Sequence, residues 1–515
     1  TERWQQTKIA VRSLHEKLFY RPLLSAVAAL PEEGLALTSD QAVARLAAIG
    51  FSDAAGALRH IAALTSGVSR RAQIQRTLLP VILQWLADGA DPDYGLLAFR
   101  RLSEDLGESY WFLRMLRDSS GAAQRLTSVL TASRYVGGLF ERIPEGAAWL
   151  ESVDELQPRP LEALLDEARA TVDRHADDVD AAAKALRTAR RREVLRLALA
   201  GILDVITVQQ LGRGLADVTT ALLTGTLSLC HRFGDGIEFA IIAMGRYGGA
   251  ELGFGSDADV MYVYRDAGAG DDAQKRAERI VHELKRLTED LRLPLDLDID
   301  LRPEGRNGAI VRSLDSYRAY YERWSLTWEA QALLRARAVA GDRALMTDFT
   351  TLADTVRYPA AFGEAEAREV RRIKARVESE RLPQAADPAR HLKLGRGSLS
   401  DVEWFVQLLQ LQHAAAHPSL ATTSTLDALQ AAVDAELVPP ADAERLRAAW
   451  LIASRARSAL TLWSAKTGDV LPLDRAQLEG VARLMGYPAG GASQLEEDYL
   501  RTTRLARQVF ERWFY

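Results

Sequence analysis

A single cysteine, Cys230, in 515 residues excludes an intramolecular disulfide and any cysteine-based zinc cluster. It suits a reducing compartment, and the cytoplasm is the expected location. Proline is scarce, at 17 residues, while alanine, leucine, arginine and glutamate abound, a balance that favours helix. No charge of one sign dominates: 65 basic residues stand against 70 acidic ones, for a formal net charge of −5. With no general field to attract nucleic acid or an anionic membrane, neither is an expected partner. Long apolar runs are missing as well, and Phe239 to Met244 is far too short to span a bilayer. The opening TERWQQTKIAVRSLHEK lacks a basic segment leading into an apolar core, a cleavage site and an initiator methionine, so no signal peptide is expected and a piece of a longer chain is. No fixed repeat of roughly 20–50 residues and no low-complexity tract is present.

What is there reads as three regions, in line with a prior of roughly 100–200 residues per domain. Up to about Leu211, apolar residues recur at three- and four-residue spacing, as in LLPVILQWLADG and RRREVLRLALAGILDVI, which predicts helices. Ser103, followed by Glu-Asp, is read as a helix start, and the Pro158 to Pro160 cluster as a break. The character changes at about Arg232. FGDGIEFAIIAMG and SDADVMYVYRDAGAGDD read as strands, DAQKRAERIVHELKRLTEDL as an amphipathic helix, and LPLDLDIDLRPEG as an alternating, half-buried strand. The expected fold is mainly α with a small α+β domain: a helical region over 1–215, a mixed sheet with flanking helices over 216–345, and a helical bundle over 346–515.

The chemistry concentrates in MGRYGGAELGFGSDADVMYVY, Met244 to Tyr264. In a strand, residues two apart share a face, so Asp257 and Asp259 project together while Ala258 and Val260 enter the core. Two carboxylates that close repel unless a cation lies between them, and hard oxygen ligands suit Mg²⁺ or Mn²⁺ bound with substrate phosphates. Gly248 and Gly249 allow the backbone to approach a phosphate, and Ser256 adds a hydroxyl. The bland alternative is a capped turn with a solvated Asp259. Asp296, Asp298 and Asp300 then gather on one face of the second acidic strand, where a third metal ligand accounts for at least one of them. An EF-hand is excluded because Leu301 stands where its sixth-position glycine belongs and Asn307 where its final glutamate does. Rossmann and P-loop phosphate motifs are absent from this stretch.

Paired glycines, Asp-x-Asp on a strand and a third carboxylate on a later strand resemble the polymerase-β-like nucleotidyltransferases. The run AMGRYGGAELGFGSDADVMYVY, the strand Asp298-Ile299-Asp300-Leu301-Arg302-Pro303 and the turn RHLKLGRGSLSDVEWFVQLLQLQH together resemble the bacterial glutamine synthetase adenylyltransferase family, over about Ile237 to His413. Arg246-Tyr247 stand where the family has Lys-Leu, and Asp300 where it has Arg; the family's motif favours Asp298 over Asp300 as third ligand. The resemblance implies ATP as substrate, a tyrosine of glutamine synthetase as acceptor, and a two-metal reaction. In it Asp257, Asp259 and Asp298 bind metal, Gly248, Gly249 and Ser256 position phosphates, and Arg246 and Arg302 offset triphosphate charge. It also implies glutamine and a PII-type signal protein as effectors. One catalytic signature with helices on both sides, and Glu251-Leu252-Gly253, resemble the C-terminal, adenylylating half. The alternatives are the deadenylylating half, a uridylyltransferase of a signal protein, and a regulatory protein that no longer catalyses.

Other conspicuous residues have plainer explanations. Lys393, Arg396 and Asp401 lie in a glycine turn where capping and packing explain them as well as substrate contact does. Glu329 is expected to pair with nearby arginines, Trp324 and Trp328 to sit in a core, and the arginine-rich runs RTARRREVLR and REVRRIKARVE to form helix surfaces.

Overall fold

The computed structural model describes residues 39–515 except 68–69, 231–233, 325 and 384–385; the helical pattern expected before residue 39 and the change of character at Arg232 lie outside the described residues. From residue 39 to Leu229 helices follow one another, starting where short polar side chains take up free backbone N–H groups. Asp53 accepts from Gly56 N, Asp91 from Tyr94 N and Asp178 from Ala181 N, and Thr207 with Gln210 forms a reciprocal capping box on helix Val208–Leu229. Ser103 does not open a helix: it is buried near the end of helix Pro92–Asp105. Asp91 with Pro92 at the first helical position is the stronger start, and the next helix, Tyr110–Asp118, follows Ser109. The break at Pro158 to Pro160 is present, between the 3-10 turn Val153–Leu156 and helix Leu161–Arg174.

Five strands form one mixed sheet: β1 (Ile237–Ala243), β2 (Ala258–Asp266), β3 (Leu297–Asp298), β4 (Arg312–Ser313) and β5 (Arg337–Gly341). Their order is β3-β2-β1-β5, with β4 also paired to β2. β1 lies antiparallel between β2 and β5, whereas β3 and β4 run parallel to β2. Alternation divides the side chains: Phe239, Ile241, Val260 and Tyr262 pack with helices Val208–Leu229 and Ala273–Thr288, and Ile242, Met261 and Val263 with helices Leu314–Trp324 and Arg343–Arg357. The acidic strand is shorter than its alternation predicts. Only Leu297–Asp298 pairs, because Arg302 gathers the carbonyls of Ile299, Arg306 and Gly308 and turns the chain away from the sheet.

Three expectations fail for physical reasons. The run RTARRREVLR is a fastening, not a solvated face: Arg187 donates to Leu287 O at 2.5 Å, Arg190 to Leu293 O at 2.6 Å, and buried Arg191 pairs with buried Asp290 at 3.4 Å. Trp324 is 60% exposed at the end of its helix, whose buried face is made by Leu314, Tyr317 and Tyr321, and Trp328 is half-buried. Glu329 is buried and accepts from Tyr320 Oη and Leu326 N rather than from arginines.

Beyond the sheet, helices Glu364–Glu380, Leu399–His413, Thr425–Asp434, Pro440–Ser464, Arg475–Leu484 and Ala492–Phe514 close a second core around Trp450, Tyr499, Phe510 and Phe514. The turn 390–401 is bound into it. Asp401 is buried, accepts at Oδ2 from Gly397 N at 2.6 Å and Arg507 Nη1 at 2.9 Å, and pairs through Oδ1 with the Lys374 ammonium at 2.6 Å. Lys374, in the second arginine-rich run, is therefore interior, while Arg372 in the same run is exposed and pairs with half-buried Glu369.

Removing one member of a buried pair leaves the other charge uncompensated. Lys374→Ala is expected to lower stability by about 3 kcal/mol. Arg372→Ala, which breaks an exposed pair, is expected to stay within about 0.5 kcal/mol. Urea titrations followed by helical circular dichroism check this; equal midpoints for the two variants would contradict it.

Candidate active site

The site forms where β2 begins. Asp257 is exposed just ahead of the strand, Ala258 is buried, and Asp259 is half-buried on the strand's other face. The parallel register sets Asp259 opposite Asp298 and Ala258 opposite Leu297, with Ala258 N donating to Asp296 O at 2.8 Å. Asp298 Oδ1 accepts Asp300 N–H at 2.8 Å, leaving Oδ2 for a ligand. Asp300 itself turns away, paired with Arg306 at 2.6 Å and facing Arg302 at 3.8 Å. The expectation that Asp296, Asp298 and Asp300 share one face thus fails at Asp300, for want of a strand beyond Asp298.

Crowded negative charge shows in the titration of the pair. Burial, then Asp298, with Asp257 and Glu403 adding, pushes the Asp259 carboxyl up to about 6, against the pull of Lys393. Burial and the neighbouring Asp296 and Asp298 also raise Asp257, opposed by Lys393 and Arg457. The cations facing the carboxylates thus come from the turn 390–401 and helix Pro440–Ser464, outside the sheet.

Between β1 and β2 the chain makes one helical turn, Gly245–Gly248, and then a loop. Gly245 has φ +50°, and a Cβ there would lie 2.1 Å from Asp259 Oδ2, so its missing side chain makes room for that carboxylate. The absent Cβ atoms of Gly248 and Gly249 are accounted for by packing: they would fall 1.7 Å from Arg335 O and 2.1 Å from Arg335 Nη1. Arg335 is buried with Glu251 at 2.8 Å, and Glu251 also accepts from Thr425 N at 2.6 Å and Thr425 Oγ1 at 2.9 Å. Ser256 Oγ accepts Gly253 N–H at 3.1 Å and holds the loop's end beside Asp257.

Residues 123–352 match the family described as glutamate-ammonia ligase adenylyltransferase, and residues 368–514 match that described as GlnD PII-uridylyltransferase. A bifunctional glutamine synthetase adenylyltransferase/adenylyl-removing enzyme of Leifsonia xyli subsp. xyli is 67% identical over 99% of this chain and 52% of that protein. The chain is similar to these adenylyltransferases along nearly all of its own length. Proteins of the same description from Streptomyces coelicolor and Nocardia farcinica are 48% and 45% identical, each over 99% of this chain and over 54% and 52% of their own lengths. The chain spans about half the length of the curated relatives it matches. The mixed sheet lies within the stretch that matches the adenylyltransferase family.

The likeness to adenylyltransferases implies a divalent metal. Among the described residues no three His, Cys, Asp or Glu side chains are gathered tightly enough to coordinate one as they stand. The donor set nonetheless fits a hard divalent cation: Asp259 and Asp298 are in register, Asp257 follows on the same edge, and the Gly245 gap admits the Asp259 carboxylate. Arg302 is not available for a triphosphate, because Nε, Nη1 and Nη2 all donate to backbone carbonyls. Arg246 is held by Nε to Glu251 O at 2.9 Å while its Nη1 has no partner. Gly245, Arg457 and Glu403 went unremarked in the sequence. A glycine directly after the β1 run was a usable signal for the first, but no local pattern marks the other two.

Because Asp259 is held up at about 6, above the unfolded carboxylate range, the folded chain binds more protons than the unfolded one between roughly pH 4 and 6. In the metal-free chain that contribution to stability is complete below this window and lost as pH rises through about 6. Asp259→Asn is expected to raise stability at pH 8 in chelator by on the order of 2 kcal/mol, with the gain vanishing near pH 4. Thermal melts across this range check it, and coincident melts at pH 8 would contradict it.

Proposed function

We propose that this chain transfers AMP from ATP to a tyrosine hydroxyl of glutamine synthetase, releasing pyrophosphate, as the cytoplasmic adenylylating half of its family in the control of nitrogen assimilation. The observation that carries this is Asp259 set opposite Asp298 across β2 and β3, with Asp257 beside them. In this assignment residues 216–345 carry the chemistry, 346–515 face it with Lys393 and Arg457, and the described part of 1–215 braces it.

Asp257 and Asp259 would hold two divalent ions, Mg²⁺ or Mn²⁺, and Asp298 would complete the site nearer the acceptor. Bound there, such ions supply neutralisation of the triphosphate and a lowered pKa for the attacking hydroxyl. The tyrosine oxygen attacks the α-phosphorus, the bond to the bridging oxygen of pyrophosphate breaks, and the phenolic proton passes to Asp298 Oδ2. The turn Gly245–Gly248 and Ser256 border the space for the phosphates, and Lys393 lies where its ammonium offsets their charge.

Glutamine synthetase is the partner this implies. The likeness of residues 368–514 to a PII-uridylyltransferase supports a PII-type protein as regulator, with glutamine as a second effector. That likeness covers only helices beyond the sheet, while the sheet falls within 123–352, so uridylyl transfer is the weaker assignment. Among the described residues no helix is long and apolar enough to cross a membrane.

Incubation with Mg²⁺, ATP labelled at the α-phosphate and unmodified glutamine synthetase is expected to label the synthetase. Asp257→Asn/Asp259→Asn should lower the rate by at least about a hundredfold, since both charges that hold the metals are gone. No label, but ADP release from adenylylated synthetase and phosphate, would assign the reverse activity instead.

A further inference from the structure

The segment that delivers Asp257 to the site is Gly253-Phe254-Gly255-Ser256. Its own hydrogen bonds close on themselves: Ser256 N donates to Gly253 O at 3.2 Å, and Gly253 N to Ser256 Oγ at 3.1 Å. They shape the turn without tying it to the rest of the molecule. The two glycines carry no side chain, and Gly255, at φ +67°, is permissive about its backbone conformation. Phe254 is therefore the apolar side chain by which this segment grips the core, just ahead of the first carboxylate.

Phe254 is buried, and its ring centroid lies 5.5 Å from that of Tyr135, with the two planes tilted by 57°. This falls within the roughly 4.5–7 Å at which aromatic rings attract one another. Tyr135 is itself held. It stands in helix Arg134–Phe140, which Ser133 opens by accepting from Val136 N at 3.1 Å. The buried Ser133 hydroxyl also donates to Leu462 O at 2.7 Å, near the end of helix Pro440–Ser464. The same short helix packs on helix Val179–Ile202, whose Arg190 holds Leu293 O a few residues ahead of Asp298. The helical region before the sheet thus reaches two of the three carboxylates by separate routes, Asp298 through a carbonyl and Asp257 through a pair of rings.

We propose that Tyr135 is a positioning residue for the metal site. Through Phe254 it sets where Asp257 stands relative to Asp259 and Asp298, and with that the affinity of the three carboxylates for a divalent cation. It acts through Phe254 and touches neither metal nor substrate. Without the ring contact, a glycine turn bonded only to itself lets Asp257 yield to the repulsion of its acidic neighbours. The proposal rests on the assignment of Asp257 and Asp259 as metal ligands.

The probe is Mn²⁺ alone, titrated into the whole chain without nucleotide or acceptor and followed by the electron paramagnetic resonance of the free ion. Tyr135→Ala is expected to weaken binding by about tenfold, the lower end of what losing a group behind a metal ligand costs. Tyr135→Phe, which keeps the ring, should bind as the wild type does. Phe254→Ala should match Tyr135→Ala, and the two together should lose no more than either alone, since both break one contact. Trp111→Ala removes a half-buried ring of the same helical region whose neighbour is Phe112, and it should leave the affinity unchanged. Circular dichroism melts confirm which variants are folded; should Tyr135→Ala not be, Tyr135→Leu, which fills the space without a ring, makes the same test. Wild-type affinity in Tyr135→Ala and Phe254→Ala, or an equal loss in Trp111→Ala, overturns the proposal. Unchanged Mn²⁺ binding in Asp257→Asn/Asp259→Asn would overturn the metal assignment and the proposal with it, whereas absence of label on glutamine synthetase would overturn the transfer reaction alone.

Discussion

The geometry of the site depends on one buried ion pair. Glu251 follows the glycine turn, Arg335 precedes β5, and Thr425 opens the helix Thr425–Asp434, so three stretches far apart in the chain meet at one carboxylate. Both charges are almost fully buried, at 7% and 5% exposure, and neither could be kept there alone. Such a pair contributes less to net stability than to position, since its desolvation cost offsets much of its attraction. What it positions is the loop that ends in Ser256 and Asp257. Gly248 and Gly249 are glycine because Arg335 comes too close for any side chain. The helix N-terminus at Thr425 supplies one backbone N–H and one hydroxyl to the same carboxylate, which joins the helical region after the sheet to the sheet's most charged corner.

That corner is built against electrostatic preference. Asp296 and Asp298 lie close enough to raise Asp257, and Asp298 and Asp257 close enough to raise Asp259, while the opposing positive charge, on Lys393 for both and on Arg457 for Asp257, comes from beyond the sheet. A fold selected only for stability would not gather these groups, whereas a site that must receive cations and a polyanionic substrate gains from holding them in advance. Lys393 is presented by a turn made rigid from below. His391 Nδ1 accepts from Leu394 N at 3.0 Å, Ser400 N donates to Lys393 O at 2.9 Å, and Asp401 is clamped by Lys374 and Arg507.

Strand period made the paired aspartates legible in the sequence, because Asp-x-Asp running into Val-Met-Tyr-Val-Tyr admits one arrangement of faces. The same rule overreached at Asp300, since alternation says nothing about where a strand stops and the carbonyl-gathering Arg302 is invisible to it. The mixed sheet between helical regions followed from apolar runs and their punctuation by glycine. The arginine-rich run at 187–196 was misread in part: Arg192 and Arg196 do pair with Glu193 within the run, but Arg187 and Arg190 donate to carbonyl groups about a hundred residues away, which no local spacing shows. Arg302 failed as a phosphate contact for a related reason: a guanidinium with five donors is as well suited to holding a loop as to holding an anion. Contributions from Arg457 and Glu403 could not be read at all, because they depend on how one helical region meets the sheet.

The fastening of residues 287–293 to helix Val179–Ile202 carries a further consequence. Connecting segments usually run free over a surface and absorb insertions with little effect. This one does not, because Leu287 and Leu293 surrender their carbonyls, and Asp290 its carboxylate, to arginines on a single helix. The last of these anchors lies only a few residues ahead of Asp298. The length of that segment is therefore a gauge, set by spacing along a neighbouring helix, and an added or deleted residue within it would displace the third carboxylate out of register with Asp259 although no residue of the site had changed.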